Sequence, residues 1–162
     1  MAGCAQFMRG SGCQESVGAC QTVNLDLQLG AAFDPHLLIG IESIDNEHGE
    51  LFDLLRRLRS MPTKPANSSE FSELLGRLGR ALMAHFGTEE KFLNSCAMPA
   101  AQVQRHLEAH THILQQYAEL NLDLMKHQPL ARADILQMVE YWLTDHIKLH
   151  DLQIRNYLPK PL

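Results

Sequence analysis

Beyond about residue 40, the apolar residues of this sequence recur every three or four positions, and proline and glycine fall mainly between the apolar runs. This spacing places apolar side chains along one face of an α-helix, whereas a half-buried strand would need apolar residues at alternate positions. The sequence shows no such alternation. It therefore predicts an all-α fold.

Four runs of this kind are present, each with helix start or stop signals at its ends. Asp45 is a suitable N-cap for the first run, and Asn67 with Glu70 resembles a capping box for the second. The predicted helices run from Asp45 to before Pro62, from Asn67 through a stripe that reaches Leu93, from Pro99 to about Lys126, and from Ala131 to Tyr157. Short linkers favour an up-down-up-down four-helix bundle.

The first 36 residues differ in character from the rest of the chain. They are rich in Gly, Ser and Gln and contain three of the four cysteines, Cys4, Cys13 and Cys20. The spacing of these cysteines matches neither CxxC nor a zinc pattern. We expect residues 1–36 to form a flexible, poorly ordered N-terminal extension with unpaired thiols and residues 37–160 to form the bundle. A redox or metal-binding tail is the alternative.

Charge and hydropathy argue against two classes of partner. The chain has 19 acidic and 14 basic residues, for a formal net charge of -5, which is unlike a nucleic-acid binder. No apolar stretch approaches the roughly 18 to 20 residues that span a bilayer. The first residues also lack the pattern of a secretory leader. We therefore expect a cytoplasmic monomer with no nucleic-acid or membrane partner.

Polar residues interrupt the predicted apolar face of every helix. They are His48 in the first helix, His85 and Glu89 in the second, His106 and His110 in the third, and His146 in the fourth. A single inward histidine is usually a hydrogen-bonded core residue, but residues four apart share a helix face and can direct two donor atoms to one point. An unpaired, ionised Glu89 would cost several kcal/mol in the core. Because a cation removes that cost and imidazole is a good ligand for iron, zinc and copper, the joint pattern predicts a buried metal centre.

The remaining ligand of the fourth helix is either His150 or Asp151. Regular helix geometry favours His150, four residues after His146, and turns Asp151 roughly 140° away. The apolar stripe, however, resumes at Asp151 and Ile154, one residue late, as a π-bulge would require. Two divalent irons are also balanced better by two carboxylates than by one. These arguments favour Asp151.

The motifs resemble those of the hemerythrin family, in its single-domain bacterial form. The resemblance covers about residues 37–158 and depends on IDNEH (44–48), HFGTEE (85–90), HLEAH (106–110) and HIKLHD (146–151). It implies a non-haem di-iron centre bridged by Glu89, Asp151 and an oxo or hydroxo group. The implied terminal ligands are His106, His110 and His146 on one iron and His48 and His85 on the other. The tryptophan that bacterial members usually have before the first helix is absent, and Phe33 is a candidate substitute.

The resemblance also implies a non-enzymatic protein that binds dioxygen reversibly, for storage, delivery or sensing. With two octahedral irons, the ligand set fills about eleven of twelve positions, which leaves one open on the iron with two histidines. We expect apolar residues within about one helical turn of a ligand to line a dry pocket there. These wall candidates are Phe52, Leu82, Phe86, Ile113, Leu114 and Trp142.

Two alternative functions share this fold. A di-iron oxidase or a ferritin-type iron store would use carboxylate-rich ExxH motifs, which differ from the HxxxE and HxxxH pattern of this sequence. A nitric-oxide sensor or a peroxidase of the same family would share every ligand. Other polar residues have simpler predicted places. We expect His36, His112 and His127 to face solvent, His150 to lie beside the centre or at the surface, and Glu90 to face solvent or another helix.

Overall fold

The computed structural model describes residues 34–62, 66 and 68–158 of the chain. Four helices make up most of this part: α1 (Glu42–Ser60), α2 (Ser69–Leu93), α3 (Ala100–Met125) and α4 (Arg132–Leu149). Two short 3-10 helices, Pro35–Leu37 and Asp151–Tyr157, precede α1 and follow α4. The described residues contain no strand, and the prediction of an all-α four-helix bundle is confirmed. None of these helices combines the length and apolarity needed to cross a bilayer.

Helices that are adjacent in sequence are neighbours in space. Helix α1 packs against α2 and α4, and α2 packs against α3. The three cysteines of the N-terminal extension, together with Phe33, lie outside the described residues, so their predicted roles stay predictions. The predicted division of the chain into an extension of residues 1–36 and a bundle of residues 37–160 also stays a prediction.

The apolar side chains form two separate clusters. The larger one contains Leu51 and Trp142, and the smaller one contains Ile44, Leu93 and Ile154. Along each of α1 and α2, a short polar stretch separates the residues of the two clusters. The predicted ligand positions therefore fall between two apolar layers, which exclude water from both sides.

The helix starts differ from the predictions at two places. Helix α1 begins at Glu42, so Asp45 is not its N-cap. The Asp45 carboxylate instead accepts hydrogen bonds from the backbone N–H groups of Ile39 (2.6 Å) and Gly40 (2.9 Å). Gly40 has a φ of 94°, a conformation that glycine adopts without strain. Asp45 thus fixes the turn before α1 rather than the first helical N–H groups.

Helix α2 is capped by Ser68, whose hydroxyl accepts a hydrogen bond from the backbone N–H of Phe71. The predicted cap, Asn67, lies one residue earlier and outside the described residues. The predicted start of α3 after Pro99 agrees with the structure to the residue.

Helix α4 ends earlier than predicted. It stops at Leu149, and the chain continues as the 3-10 helix Asp151–Tyr157 after His150, whose φ of -119° lies outside the usual helical range. The expected continuous helix with a π-bulge is therefore wrong. The expected consequence still holds, because the break and the tighter 3-10 winding turn Asp151 and Ile154 inward, and both are fully buried.

Two arginines hold chain segments against the bundle. The Arg132 guanidinium donates to the backbone carbonyls of Leu58 (2.5 Å) and Met61 (2.9 Å), and so satisfies groups at the C-terminal end of α1. The Arg155 guanidinium donates to the carbonyls of His36 (2.8 Å, from Nη2) and Leu38 (2.6 Å, from Nε). The 3-10 helix after α4 is thereby fastened to the segment that precedes α1.

Candidate metal centre

The seven predicted ligands converge between the two apolar clusters. All are buried, with exposed fractions from 0% to 6%. They are His48 on α1, His85 and Glu89 on α2, His106 and His110 on α3, His146 on α4, and Asp151 at the start of the following 3-10 helix. Each helix contributes at least one donor, because the polar interruptions of the four stripes lie at the same level of the bundle.

The donor atoms fall into two overlapping groups that could each hold a metal ion. In both groups the donor atoms lie within 4.8 Å of one another. The three-histidine group is Glu89, His106, His110 and His146, and the two-histidine group is His48, His85, Glu89 and Asp151. Glu89 belongs to both groups, and the histidines divide as the resemblance implies.

Glu89 and Asp151 face histidines of both groups. Glu89 Oε2 lies 3.2 Å from His110 Nε2 and 3.6 Å from His85 Nε2. Asp151 Oδ1 lies 3.0 Å from His146 Nε2, while its Oδ2 lies 3.2 Å from His48 Nε2. Asp151 thus reaches the two groups through different oxygens, whereas Glu89 reaches both through Oε2.

The residues present fit a pair of divalent cations. The Nε2 atoms of His110 and His146 are 3.1 Å apart, so a proton or a cation must separate their lone pairs. Glu89 Oε1 is buried and has no hydrogen-bond partner among the described residues. A buried oxygen of this kind is costly unless something positive satisfies it. Imidazole nitrogens combined with carboxylate oxygens suit iron, zinc or copper.

The electrostatics of the metal-free cluster show how strongly its charges interact. Burial and the Asp151 carboxylate raise the pKa of Glu89, but hydrogen bonds from the three-histidine group outweigh them and hold this pKa well below its usual range. Burial also raises the pKa of Asp151, yet the charge of His146 and contacts with nearby histidines hold it low. Burial lowers the pKa of His146, but Asp151 and Glu89 raise it to about 9. Both carboxyl groups are therefore ionised at neutral pH.

We expect metal affinity to rise with pH. His146 has a pKa of about 9 without metal and so carries a proton at neutral pH, whereas a metal ligand must be neutral. A cation has to displace that proton, so affinity for Zn²⁺ should increase about tenfold per pH unit for each proton displaced and level off above the pKa. Competition with a chelator at pH values below and above the His146 pKa of about 9 measures how the Zn²⁺ affinity changes with pH. An affinity that does not change with pH would mean that His146 carries no proton in the metal-free protein.

Two further carboxylates lie behind the histidines. Glu47 Oε2 is 3.2 Å from His85 Nδ1, and Glu47 Oε1 accepts a hydrogen bond from Thr88 Oγ1 at 2.7 Å. Glu90 Oε1 is 3.3 Å from His110 Nδ1, so Glu90 meets α3 while staying partly exposed, as predicted. Glu47 was not among the residues predicted from the sequence. Its position next to His48 was the available signal, but its partner His85 is 38 residues away.

A small apolar cavity adjoins the two-histidine group. It borders His48 and His85 and has a volume of about 10 Å³, close to the smallest that admits one water molecule. Its walls are Leu51, Leu82, Phe86, Trp142, Leu143, Ile147 and His146. The predicted walls Leu82, Phe86 and Trp142 are thus present.

The other three predicted wall residues do not line this cavity. Phe52 and Leu114 are half-buried and pack at the edge of the larger cluster, while Ile113 lines a groove outside the cavity. Leu51 takes the place expected for Phe52, although both residues, three and four positions after His48, lie on the side of α1 that His48 faces. The sequence could not distinguish the two neighbouring positions.

A wider groove of about 130 Å³ lies on the outer side of the same wall. Trp142 and His146 border both the groove and the inner cavity, and Trp142 Nε1 donates to Gln116 Oε1 at 2.8 Å.

His150 lines the groove and stacks on the ring of His146, with centroids 5.1 Å apart. Burial and the nearby imidazoles lower the pKa of His150 to about 4. His150 is half-buried beside the centre, while the other three histidines are exposed, as predicted: His36, His112 and His127.

Comparisons with known proteins identify a cation-binding domain. A family model described as the hemerythrin HHE cation binding domain matches residues 39–157. A bacteriohemerythrin of Campylobacter jejuni (serotype O:23/36, strain 81-176) is 23% identical over 114 residues, which cover 70% of this chain and 84% of that protein. A bacteriohemerythrin of Stenotrophomonas maltophilia (strain R551-3) is 24% identical over 115 residues, covering 71% and 72%. No solved structure matches the chain.

Proposed function

This chain belongs to the hemerythrin family, a family of cation-binding domains, and from that premise we propose that it holds two iron ions and binds dioxygen reversibly. The observation that carries the proposal is the pair of donor groups that share Glu89 beside a small apolar cavity. In the proposed centre Glu89 and Asp151 would contribute to both ion positions. The other ligands would be His106, His110 and His146 at one position and His48 and His85 at the other.

The cavity walls support binding rather than turnover. The two irons, when bound, supply the electrons that reversible dioxygen binding requires. Converting dioxygen to water would also need proton donors about 2.6 to 3.2 Å from its distal oxygen. The described residues that line the cavity are apolar apart from His48, His85 and His146, which would be neutral as metal ligands. Apolar walls such as Leu82 and Leu143 exclude water from the cavity.

The donor set disfavours a ferritin-type store or oxidase. Ferritin-like bundles use one glutamate from each of two helices and Glu-x-x-His from the other two, whereas this cluster has five imidazoles and two carboxylates. A nitric-oxide sensor would use the same residues. We also propose a cytoplasmic monomer that acts on a dissolved gas rather than on nucleic acid, because a net charge of -5 disfavours binding to phosphates.

An anaerobic iron assay followed by exposure to air tests the proposal. We expect two irons per chain and a ligand-to-iron charge-transfer band that appears under oxygen and disappears under argon over repeated cycles. Iron is expected over zinc because five nitrogens and two bridging carboxylates suit two octahedral ions, while structural zinc prefers tetrahedral sites.

Three results would count against the proposal. In protein produced with ample iron, one iron or fewer per chain, or a stable stoichiometric zinc load in place of iron, would contradict the di-iron centre. If the band decays to a ferric spectrum within the first cycles, the oxidase alternative becomes the better proposal than reversible oxygen binding. A spectrum that responds to nitric oxide but not to dioxygen would favour the sensor.

A further inference from the structure

We infer that Glu47 is a positioning residue for His85 and so controls how tightly the two-histidine group holds its metal ion. The inference rests on the proposed function only in taking His85 as a ligand. Glu47 lies on α1, whereas His85 and Thr88 lie on α2. Its carboxylate joins the two helices through contacts to His85 Nδ1 (3.2 Å) and Thr88 Oγ1 (2.7 Å).

The first contact fixes which nitrogen of His85 faces the centre. A neutral imidazole carries one N–H, and a carboxylate can only accept, so the proton belongs on Nδ1. The lone pair then lies on Nε2, which is the nitrogen that faces Glu89 at 3.6 Å. A carboxylate behind an imidazole also makes it a more basic ligand and holds its ring plane. Glu47 thus selects both the tautomer and the orientation that a metal ion requires.

The second contact fixes Glu47 itself. Thr88 Oγ1 donates to Oε1 while His85 faces Oε2, so both carboxylate oxygens are engaged and the group cannot rotate freely. Thr88 lies three residues after His85 on the same helix, so it shares that face of α2. Glu47 is only 28% exposed, which shields both contacts from water. A side chain on α1 therefore orients a ligand on α2 with little freedom.

The Glu90–His110 contact provides a matched comparison within the same molecule. It has a similar length, 3.3 Å, but Glu90 is 46% exposed and acts on the three-histidine group. The two-histidine group has fewer imidazoles, so each one contributes a larger share of its affinity. Removing Glu47 should therefore affect one metal position, and removing Glu90 should affect the other.

The test titrates the metal-free full-length chain with Zn²⁺, a diamagnetic ion, and follows the imidazole ¹⁵N shifts of His85 and His110 by NMR. Glu47→Gln keeps the shape of the side chain but removes its charge, and Glu47→Ala removes both contacts. We expect each to weaken Zn²⁺ at His85 by about 10- to 100-fold, the usual effect of losing such a partner. The ¹⁵N signals of His110 should saturate at the same Zn²⁺ concentration as in the wild type. Thr88→Val should also weaken Zn²⁺ binding at His85, but by a smaller factor.

Glu90→Gln is the control and should weaken saturation at His110 while leaving His85 unchanged. In the metal-free Glu47→Ala protein, the ¹⁵N shifts of His85 should also no longer show the Nδ1–H tautomer alone. A general loss of stability would not change the tautomer of this one histidine. Unchanged saturation at His85 in the Glu47 variants, or equal weakening at His85 and His110, would overturn the inference. The iron assay tests the di-iron proposal separately. If that proposal fails, the tautomer of His85 with and without Glu47 still decides whether Glu47 positions that ring.

Discussion

Replacing Asp151 with alanine should leave the protein with at most one tightly bound iron per chain. Asp151 places one oxygen 3.0 Å from His146 Nε2 and the other 3.2 Å from His48 Nε2, so its loss removes a ligand from both positions. Losing a residue that only supports a ligand costs about 10- to 100-fold in metal affinity, and losing a bridging ligand should cost more than that. Iron analysis together with the optical spectrum measures the effect.

Two companion variants make this result interpretable. Asp151→Asn retains the volume of the side chain and tests whether charge, rather than packing, holds the metal. His150→Ala should keep both irons, because His150 stacks on His146 but supplies no donor atom to either group. Iron loss in His150→Ala with full iron in Asp151→Ala would mean that α4 continues as a regular helix and that His150 is the ligand.

Replacing Trp142 with alanine should lower the free energy of unfolding by about 3 to 5 kcal/mol, the range for removing a buried tryptophan. Trp142 is 1% exposed and bonds Gln116 through Nε1 at 2.8 Å. The same substitution removes the wall between the inner cavity and the outer groove. The iron-loaded variant should therefore oxidise faster in air than the wild type, because water reaches the cavity. Urea unfolding and the decay of the charge-transfer band measure the two effects.

Trp142→Phe separates the two consequences. Phenylalanine keeps most of the wall but leaves Gln116 without its donor, so we expect a smaller loss of stability and an oxidation rate close to wild type. A destabilised Trp142→Ala protein that oxidises at the wild-type rate would show that this wall does not protect the cavity. Protection would then depend on the other side of the cavity, where Leu51 and Leu82 lie.

The positions of the candidate ligands were predictable because their signal is local. Residues four apart, such as His85 with Glu89 and His106 with His110, share a helix face wherever the helix lies. The inward position of Asp151 was also predictable from the delayed apolar stripe. The backbone feature that turns Asp151 inward was not predictable, because a π-bulge and a helix break followed by a 3-10 helix both shift the apolar stripe by one residue.

The features that sequence reasoning missed depend on partners distant in the chain or on turn geometry. Glu47 resembles any solvated helix residue until α1 and α2 pack and bring His85 to it. Asp45 has the chemistry of an N-cap, and only the turn at Gly40 shows that its oxygens are used elsewhere. The same limit explains why Leu51 lines the cavity where Phe52 was predicted. A rotation of α1 by a fraction of a turn decides which of the two side chains faces the cavity.

The attachment of the 3-10 helix Asp151–Tyr157 has a consequence for the order of events during synthesis. Arg155 binds the carbonyl of Leu38, 117 residues earlier, and Asp151 is the last of the candidate ligands along the chain. A nascent chain therefore displays the histidines of the first three helices before Asp151 has left the ribosome. Iron loading should accordingly follow release of the whole bundle. A chain stalled before Asp151 would present a partial set of donors that other cellular cations could occupy.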